Sequence, residues 1–364
     1  MKVVTVLGAR PQFIKASPVS RAMAGRDIEE VVVHTGQHFD RSMSDVFFRD
    51  LRMPEPKHHL GIGGLGHGAM TGRMLEGVEP ILQSERPDWV LVYGDTNSTL
   101  AGALAAAKLQ MRVAHVEAGL RSFNRAMPEE INRVLTDHAA DLLFAPTRTA
   151  VGNLAREGIS GPRVLQVGDV MYDAALAFGE IARRDSRILA DLGLAPGSYL
   201  LATVHRAENT DEPARLAAIT DGLMLAARRM PVVLPLHPRT RNALAARGRL
   251  EALAKAIRVI EPVGFLDMAI LEINAALVAT DSGGVQKEAF FYGVPCVTLR
   301  EETEWTELVQ AGANRLAPPA HAEAIAEAIE ASLNSGFPPG IDASQFYGDG
   351  RAAQRIASAL AGGS

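Results

Sequence analysis

Near its amino terminus the chain reads Val3-Val4-Thr5-Val6-Leu7-Gly8-Ala9-Arg10-Pro11-Gln12-Phe13-Ile14-Lys15. A short apolar run of this kind predicts a buried strand, and a proline just after a glycine turn is typical of the first turn of a helix. The same order of apolar run, turn and helical segment recurs along the chain. Strands buried on both faces that alternate with helices predict parallel sheets joined by right-handed crossovers.

The apolar runs form two series. In the first half they are Val3–Leu7, Val31–His34, Trp89–Tyr93, Val113–Val116 and Leu142–Ala145. In the second half they are Val164–Val167, Tyr199–Val204, Val232–Leu236, Val259–Val263, Leu277–Thr280 and Cys296–Leu299. Segments with an apolar residue every three or four positions separate the runs and predict helices, as at Met70–Leu82, Leu100–Leu109 and Glu129–Ala139.

A chain of 364 residues with this many elements fits two domains rather than one sheet. We predict an α/β protein made of two facing, Rossmann-like, doubly wound domains with a cleft between them. The predicted domains are residues 1–168 and 169–348, and residues 349–364 are expected to form a helix that packs back on the first domain. The glycine-rich segment Gly61–Gly68 predicts either a mobile lid or a plain connector.

The bulk composition excludes several classes of protein. Net charge is −5 and no long basic run is present, which argues against a nucleic-acid or anionic membrane surface. No apolar segment approaches the roughly 20 residues that span a bilayer, and the first apolar run indicates a strand rather than a signal peptide. Cys296 is the only cysteine, so neither an internal disulfide nor a cysteine zinc site is expected. These features predict a cytoplasmic protein.

Polar residues follow nearly every apolar run, where ligands of open α/β sheets bind. Any one of them has an ordinary explanation in a polar loop, but their recurrence at the carboxyl ends of the strands predicts a binding site. They are Arg10, Gln37, His38, Asp95, Glu117, His205, Arg206, His237, Asp281 and Ser282.

Two glycine turns lead from a strand into a helix. At the first, backbone N–H groups with Arg10 and Lys15 could hold a diphosphate; a helix start with two surface cations is the alternative. At the second, Ser282, Gly283 and Gly284 could form the same kind of cradle. Glu288, one turn further, would then accept hydrogen bonds from a ribose. Neither turn has the spacing of a dinucleotide or Walker loop.

Three acidic residues end or follow strands of the first half: Asp95, Glu117 and Glu129. Taken singly, Asp95 is explained as a helix cap and Glu129 as a favourable charge in a first helical turn. Together near an anionic ligand, they would weaken binding unless they move protons. Arg133 could offset their repulsion or contact phosphate.

Histidines supply a further group of candidates. His205 is expected to face the predicted cleft beside Arg206, although a buried, hydrogen-bonded histidine is the alternative. The other histidines near glycine, His58, His59 and His67, lack the spacing of a zinc or calcium site, so no metal site is predicted.

Six segments in this order resemble the non-hydrolysing UDP-N-acetylglucosamine 2-epimerases, and the resemblance runs from Lys2 to about Leu360. The segments are GARPQFIK, YGDTNST, HVEAGLRS, PEEINR, TVHRAEN and DSGGVQKEA. The resemblance implies a GT-B type fold with the active site between two domains, a UDP-sugar substrate, a homodimer and no NAD or metal cofactor.

The resemblance also assigns roles to individual residues. It implies that the catalytic residues are Asp95, Glu117, Glu129 and His205. The substrate-binding residues it implies, together with neighbouring polar candidates, are Arg10, Lys15, Arg133, Arg206, His237, Ser282, Gly283, Gly284 and Glu288. In the implied reaction, UDP leaves C1 as the C2 proton is removed, and UDP then returns to the 2-acetamidoglucal while a proton reaches the opposite face. Carboxylates suit this route because the sugar passes through a cationic state; the sequence leaves open which residue serves which face.

Three departures from the family pattern bear on the substrate. Gln12 stands where typical members have glutamate, Thr303–Glu307 reads TEWTE rather than TERPE, and the segment between Arg121 and Pro128 is short. Because that segment is longer in many members that their own substrate activates, we do not transfer this activation. The variant motifs resemble a branch that acts on UDP-2,3-diacetamido-2,3-dideoxy-glucuronate, and loss of a carboxylate at position 12 would suit an acidic sugar. The competing hypotheses are a GT-B glycosyltransferase, which has no obvious need for three clustered acids, a hydrolysing epimerase, and a catalytically silent nucleotide-sugar sensor, which the complete acid set disfavours.

Overall fold

The computed structural model describes residues 1–37 and 53–362 and divides into two compact units. The first unit comprises Met1–Ala174 and Ser344–Ser364, and the second comprises Ala175–Ala343. The sequence-based boundaries at residues 168 and 348 differ from these. The first observed division falls inside the helix Val170–Asp185, because the beginning of that helix bonds to the last helix of the chain.

The first unit contains a parallel sheet of seven strands in the order β3-β2-β1-β4-β5-β6-β7. Its strands are β1 (Lys2–Leu7), β2 (Glu29–His34), β3 (His58–His59), β4 (Trp89–Tyr93), β5 (Val113–Val116), β6 (Leu142–Ala145) and β7 (Val164–Gln166). β1 and β4 are central, and their side chains are buried on both faces. This explains their continuous apolar sequence.

The second unit contains a parallel sheet of six strands in the order β10-β9-β8-β11-β12-β13. Its strands are β8 (Leu200–Thr203), β9 (Val232–Pro235), β10 (Arg258–Ile260), β11 (Leu277–Thr280), β12 (Cys296–Thr298) and β13 (Asn314–Leu316). In both units the strand order reverses beside the first strand, so that β1 lies next to β4 and β8 next to β11. A reversal of this kind is where doubly wound sheets bind ligands.

Helices follow the strands in both units. Those of the first unit up to the division are α1 (Arg10–Ala24), α2 (His67–Glu85), α3 (Asn97–Lys108), α4 (Pro128–Ala139), α5 (Arg148–Arg156) and α6 (Val170–Asp185). The second unit continues with α7 (Ile188–Asp191), α8 (Ala207–Thr210), α9 (Pro213–Ala226), α10 (Pro238–Ala246), α11 (Leu250–Ala256), α12 (Phe265–Ile273), α13 (Gly283–Phe291), α14 (Thr306–Gln310) and α15 (Ala322–Ser335). The chain ends in the first unit with α16 (Ser344–Tyr347) and α17 (Ala352–Leu360).

The predicted α/β class with two parallel sheets is confirmed. The sequence does not predict two of the strands, β3 and β13. Both are two or three residues long, lie at sheet edges and carry polar residues, so they lack an apolar signal. Within residues 1–37 and 53–362, no helix combines the length and apolarity needed to cross a membrane.

The last helix completes the first unit. α17 packs on α1, and Asp173 in α6 accepts hydrogen bonds from the backbone N–H groups of Ala352 (3.2 Å) and Ala353 (2.8 Å). A carboxylate at this place satisfies two of the N–H groups that a helix start leaves without partners. The helix α17 is thus tied to α1 and to the start of α6.

Candidate active site

A pocket lies at the carboxyl edge of the first sheet, at the strand reversal. Its volume is about 180 Å³, below the 300–1,000 Å³ of pockets that enclose a drug-sized ligand, so it suits one ring-sized group. The residues that line it are Ala9, Pro11, Gln12, Lys15, Gln37, His67, Tyr93, Gly94, Asp95, Thr96, Asn97, Pro128, Glu129 and Asn132.

Asp95 follows β4 and lines this pocket beside an arginine from α4. Arg133 donates to one oxygen of Asp95 from Nε (3.0 Å) and from Nη2 (2.6 Å). Asn132 Nδ2 donates to the backbone carbonyl of Asp95 at 2.9 Å. The carboxylate is partly exposed, so it can still meet a ligand while its charge is balanced.

Glu117 follows β5 and is held in a left-handed backbone conformation with φ of 71°. A residue other than glycine in this region costs roughly 1–3 kcal/mol and is typical of functional sites. Its buried carboxylate forms an ion pair with Lys15 of α1. Burial disfavours the Lys15 ammonium, but Glu117, Asp95 and Asp169 outweigh that effect and raise the pKa of Lys15.

Gly94 explains how these charged groups come so close to the main chain. Its φ is 64°, and a Cβ at this position would lie 3.3 Å from Glu117 Oε2 and 3.4 Å from Lys15 Nζ. The positive φ favours glycine here, and a Cβ would press on the ion pair. Gly94 and Lys15 line the pocket whereas Glu117 does not, so Lys15 links the pocket to the buried carboxylate behind it.

A buried histidine supports the two strand ends that carry Asp95 and Glu117. His115 Nε2 lies 2.8 Å from the carbonyl oxygen of Gly94, and its Nδ1 lies 2.7 Å from Asp137 Oδ1. The second oxygen of Asp137 accepts from Gly119 N–H at 3.0 Å and contacts Arg121 at 2.8 Å. The two ring nitrogens thus connect the Gly94 carbonyl to the Asp137 carboxylate and hold the ends of β4 and β5 together.

Glu129 and Glu130 are neighbours with different surroundings. Glu129 lines the pocket, and no hydrogen bond or ion pair joins it to the part of the chain that the structure describes. Glu130 is buried, accepts from the N–H groups of Ser122 and Phe123 at 2.9 Å, and pairs with Arg133 at 2.9 Å. Glu130 is therefore a structural clamp for the loop before α4, whereas Glu129 is available to a ligand.

Gln12 has a structural role that the sequence-based interpretation missed. Its side-chain oxygen accepts from the N–H groups of Gly8 (2.8 Å) and Ala9 (3.0 Å), and its nitrogen donates to Tyr93 O (2.9 Å) and Thr99 Oγ1 (3.0 Å). The predicted use of these turn N–H groups for a diphosphate is thus wrong for Gly8 and Ala9, because Gln12 already satisfies both. Arg10 is the first residue of α1 and is half-buried outside the pocket lining.

Four of the predicted residues lie on the carboxyl edge of the second sheet. The buried Asp281 accepts from the backbone N–H groups of His205 (3.0 Å) and Arg206 (3.0 Å), which fixes the loop after β8. The rings of His205 and His237 lie 5.6 Å apart. Burial lowers the pKa of His237, and the neighbouring His205 and Arg239 lower it further. Through its bonds to the backbone of His205 and Arg206, Asp281 holds the loop after β8 in place at this edge of the sheet.

The start of α13 lies on the same edge. Ser282 Oγ accepts from Val285 N at 3.5 Å, and Gly284 is exposed with nothing within ordinary contact of a Cβ except Ser282 Oγ at 3.9 Å. At Gly283, by contrast, a Cβ would lie 2.3 Å from Glu304 Oε1. Gly283 thus leaves room for the side chain of Glu304, which packs against it. Gly284 leaves the start of α13 open to solvent.

Glu304 and Arg300 also belong to this edge, although the sequence-based interpretation does not include them. Arg300 pairs with Glu304 at 2.9 Å, and Arg206 approaches the same carboxylate at 3.7 Å. Burial alone would raise the pKa of Glu304, but the charges of Arg300 and Arg206 with local hydrogen bonds lower it overall. The position of the altered TEWTE motif could have indicated Glu304 as a site residue. The motif follows β12 in the chain, and ligand-binding residues lie beyond the carboxyl ends of such strands.

Glu288 lies in α13 beside a second carboxylate. Burial raises the pKa of Glu272 in α12 well above its usual range, and the charge of Glu288 raises it further. Glu288 is half-buried, and its contact with a ribose stays a prediction.

The predicted residues therefore separate into two groups. Asp95, Glu117, Glu129, Lys15 and Arg133 gather at the pocket of the first unit, with Arg10 at the start of α1. The group in the second unit comprises His205, Arg206, His237, Ser282, Gly283, Gly284 and Glu288. The prediction of one site shared by both units stays a prediction, and His38 lies outside the described residues. Within those residues, no cluster of His, Cys, Asp and Glu suited to a metal ion occurs.

Comparison with known proteins identifies the class. A family model described as UDP-N-acetylglucosamine 2-epimerase matches residues 21–361. Together with the two parallel α/β sheets, this match places the chain among the nucleotide-sugar isomerases of GT-B-like fold. The chain belongs to the UDP-N-acetylglucosamine 2-epimerase family.

Three relatives refine this assignment. The chain is 52% identical to UDP-2,3-diacetamido-2,3-dideoxy-D-glucuronate 2-epimerase of Pseudomonas aeruginosa, over 99% of each chain. It is 44% identical to the Methanocaldococcus jannaschii UDP-GlcNAc 2-epimerase solved with UDP-GlcNAc and UDP, with a TM-score of 0.89 over 100% of each chain. The Neisseria meningitidis UDP-GlcNAc 2-epimerase bound to UDP-GlcNAc is 29% identical, with a TM-score of 0.89 over 100% of each chain.

Proposed function

We propose that the chain epimerises C2 of a UDP-linked 2-acetamido sugar without hydrolysis and that its preferred substrate is UDP-2,3-diacetamido-2,3-dideoxy-D-glucuronate. The observation that carries the proposal is the set of three acids at the pocket of the first unit, in a chain of this family. Acids so placed would weaken binding of a UDP-sugar unless the reaction used them. The choice of substrate rests on 52% identity to the diacetamidoglucuronate enzyme.

The proposed reaction proceeds by elimination and return. The C1–O bond to UDP breaks, a carboxylate or histidine takes the C2 proton, and a 2-acetamidoglucal forms. UDP then adds back to C1 while a proton reaches C2 on the other face. The C2 proton becomes acidic only as C1 gains positive charge, and nearby carboxylates stabilise that charge.

The surroundings of the acids suggest a division of roles. Arg133 engages Asp95 and Lys15 engages Glu117, so we assign both carboxylates to stabilising the cationic sugar. Glu129 has no such partner among the described residues, and we assign it to proton transfer on one face. His205 is our candidate for the opposite face.

We assign the diphosphate to the second unit. A helix start with exposed N–H groups binds anions, and the open end of α13 at Gly284 provides one. Arg206 and Arg300 lie close by through their shared contact with Glu304. A departing UDP held in this way can return to the same sugar.

Solvent exchange tests the proposal directly. The purified protein is incubated in heavy water with UDP-2,3-diacetamido-2,3-dideoxy-glucuronate, with UDP-GlcNAc, or with UDP-glucose as a control that lacks the 2-acetamido group. We expect one deuterium at C2 and a mixture of the two epimers with the first substrate. Absence of exchange with both acetamido sugars would refute the proposal, and release of free sugar would favour a hydrolysing epimerase.

UDP-GlcNAc is the second candidate substrate, because the 44% identical M. jannaschii relative is a UDP-GlcNAc 2-epimerase. The ratio of kcat/KM for the two sugars decides between them. A glycosyltransferase is the more distant candidate; transfer of the sugar to an added acceptor, without C2 exchange, would establish it.

We further propose a homodimer in the cytoplasm. The dimer rests on the family resemblance, and light scattering of the purified chain tests it. The location rests on the lone Cys296, which cannot form a disulfide within the chain and suits a reducing compartment. Fractionation of cells that produce the chain tests the location.

A further inference from the structure

His67 is a pocket residue that the proposed mechanism does not use. It is the first residue of α2 and is exposed at the rim of the pocket, whereas Glu117 is buried behind the pocket wall. Its loop is no free lid, because Ile62 N donates to Thr35 O at 2.7 Å and Leu60 N to His34 O at 2.9 Å. These bonds tie the segment before α2 to the end of β2 and hold His67 at the pocket.

A chain of hydrogen bonds fixes which nitrogen of His67 carries the proton. Asn132 lies 2.9 Å from the carbonyl oxygen of Asp95, which only accepts, so the Asn132 atom there is its amide nitrogen. That nitrogen also lies 3.2 Å from Asn97, whose facing atom must be its oxygen. The amide nitrogen of Asn97 therefore points away from Asn132.

The chain ends on the imidazole. The Asn97 amide nitrogen lies 3.3 Å from His67 Nδ1, so Nδ1 accepts and the neutral ring carries its proton on Nε2. Among residues 1–37 and 53–362, no hydrogen bond to Nε2 is present. His67 thus offers an oriented N–H donor that the described protein does not use.

Apart from the amide of Gln37, whose oxygen accepts from Ser98 Oγ at 2.9 Å, the remaining groups of the pocket are less available to an acidic sugar. The amide nitrogens of Gln12, Asn97 and Asn132 all donate to protein atoms. Lys15 and Arg133 are paired with Glu117 and Asp95. The charges of Asp95 and Glu129 would repel a sugar carboxylate. Such a carboxylate therefore needs a hydrogen-bond donor at the rim of the pocket.

We infer that His67 determines specificity by donating a hydrogen bond from Nε2 to the C6 carboxylate of a uronate sugar. The inference rests on the proposed function, which places the sugar in this pocket. A hydrogen bond to a charged oxygen is stronger than one to a hydroxyl. His67 therefore favours a uronate over a sugar with a C6 hydroxyl.

The test compares His67→Ala, His67→Gln and wild type on UDP-2,3-diacetamido-2,3-dideoxy-glucuronate and on UDP-GlcNAc. We expect kcat/KM to fall about 30-fold on the uronate and about threefold on UDP-GlcNAc in His67→Ala. Glutamine, which keeps a donor, should recover part of the loss on the uronate. His138→Ala, a partly exposed histidine of α4 outside the pocket lining, is the matched control and should leave the ratio unchanged.

Long-range proton–nitrogen spectra of the imidazoles provide a second measurement. We expect His67 Nδ1 to be unprotonated and its Nε2 resonance to shift when the uronate substrate is added. Equal losses on both sugars, no loss on the uronate, or a proton on Nδ1 would each overturn the inference. The proposed function itself fails only if wild type exchanges C2 hydrogen with neither sugar, so the two failures are distinguishable.

Discussion

The starts of α1 and α13 share one plan but differ in what occupies them. Each follows a central strand through a glycine turn, and the sequence predicts an anion cradle at both. At α1 the side chain of the third helical residue, Gln12, takes the N–H groups of Gly8 and Ala9. At α13 the third residue is the apolar Val285, and Gly284 stays exposed.

This difference teaches that a glycine turn before a helix is an anion site only when no nearby side chain closes it. A glutamine or glutamate at the third helical position reaches back to the turn, as in a capping box. The first unit thus uses its helix start to hold Lys15 beside the acids, and the second keeps its helix start open. We assign the three acids to the first unit and the anion site at the start of α13 to the second unit. Variants of each can test this separation.

The largest effect is expected from Glu129→Gln, which removes a proton carrier but preserves shape. Turnover should fall by roughly 10³-fold, within the usual range for loss of an acid–base group, while Kd for UDP changes less than about threefold. Steady-state rates and calorimetry with UDP check this. Glu130→Gln serves as the neighbouring comparison: it should mainly lower the melting temperature, because Glu130 clamps residues 122–123. Near-normal turnover of Glu129→Gln would remove Glu129 from its assigned role.

A smaller effect is expected from Gly284→Asp, which places a carboxylate at the open start of α13. Space for a side chain exists, so the fold should persist, but repulsion of the diphosphate should weaken UDP binding about 100-fold. Gly284→Asn has nearly the same shape without the charge and should lose far less affinity. If both variants bind UDP as wild type does, the diphosphate is not held at this helix start.

Gln12→Leu should affect stability more than the reaction. It leaves the N–H groups of Gly8 and Ala9 buried without acceptors, which should lower the free energy of unfolding by roughly 2–4 kcal/mol. UDP affinity should stay within about twofold of wild type, since Gln12 closes the helix start in the unit without the cradle. Chemical denaturation and calorimetry measure the two quantities. A large loss of UDP affinity at unchanged stability would reverse the comparison of α1 with α13.

The smallest effect on the reaction is expected from Asp173→Asn, since Asp173 accepts hydrogen bonds from the start of α17 and does not line the pocket. Burial raises the pKa of Asp173 to about 6 despite the hydrogen bonds from Ala352 and Ala353. Folding raises the pKa of this acid, so the folded chain binds its proton more tightly than the unfolded chain does. As the pH rises from about 4 to 6, the unfolded chain loses this proton first and becomes more stable relative to the folded chain. This carboxyl should therefore lower the free energy of unfolding by up to about 3 kcal/mol across that window.

Denaturation curves of wild type and Asp173→Asn between pH 4 and 7 check this prediction. The variant should lose the part of the pH dependence that falls between pH 4 and 6 and keep its C2 exchange rate at neutral pH. An unchanged pH dependence would mean that Asp173 does not titrate in this window.

The sequence predicts those parts of the fold that carry a strong periodic signal. Strands such as β4 and β5 are buried on both faces and mostly apolar, and their predicted and observed bounds agree at Trp89–Tyr93 and Val113–Val116. The edge strand β13, Asn314–Leu316, escapes prediction because a short edge strand needs no continuous apolar run. The parallel register between strands distant in sequence depends on tertiary packing and gives no local signal.

In the candidate site, sequence position indicates which side chains lie at the strand ends but not what each contacts. Glu129 and Glu130 are adjacent in PEEINR, yet one faces the pocket and the other is a buried clamp. The sequence brings His67 forward only as a metal ligand to be rejected, because its hydrogen-bond chain through Asn97 and Asn132 joins three distant segments. The Gln12 closure has a local signal in its position at the third helical residue.

The return of α17 to α1 has a consequence for how the protein is made. The ribosome releases residues 352–360 only after the entire second unit, so the face of α1 that α17 covers stays bare while that unit is synthesised. The second unit is continuous in sequence and can close on the nascent chain, whereas the first must wait for its final segment. A nascent chain stalled before residue 352 should therefore protect Ala175–Ala343 from protease earlier than it protects the amino-terminal sheet.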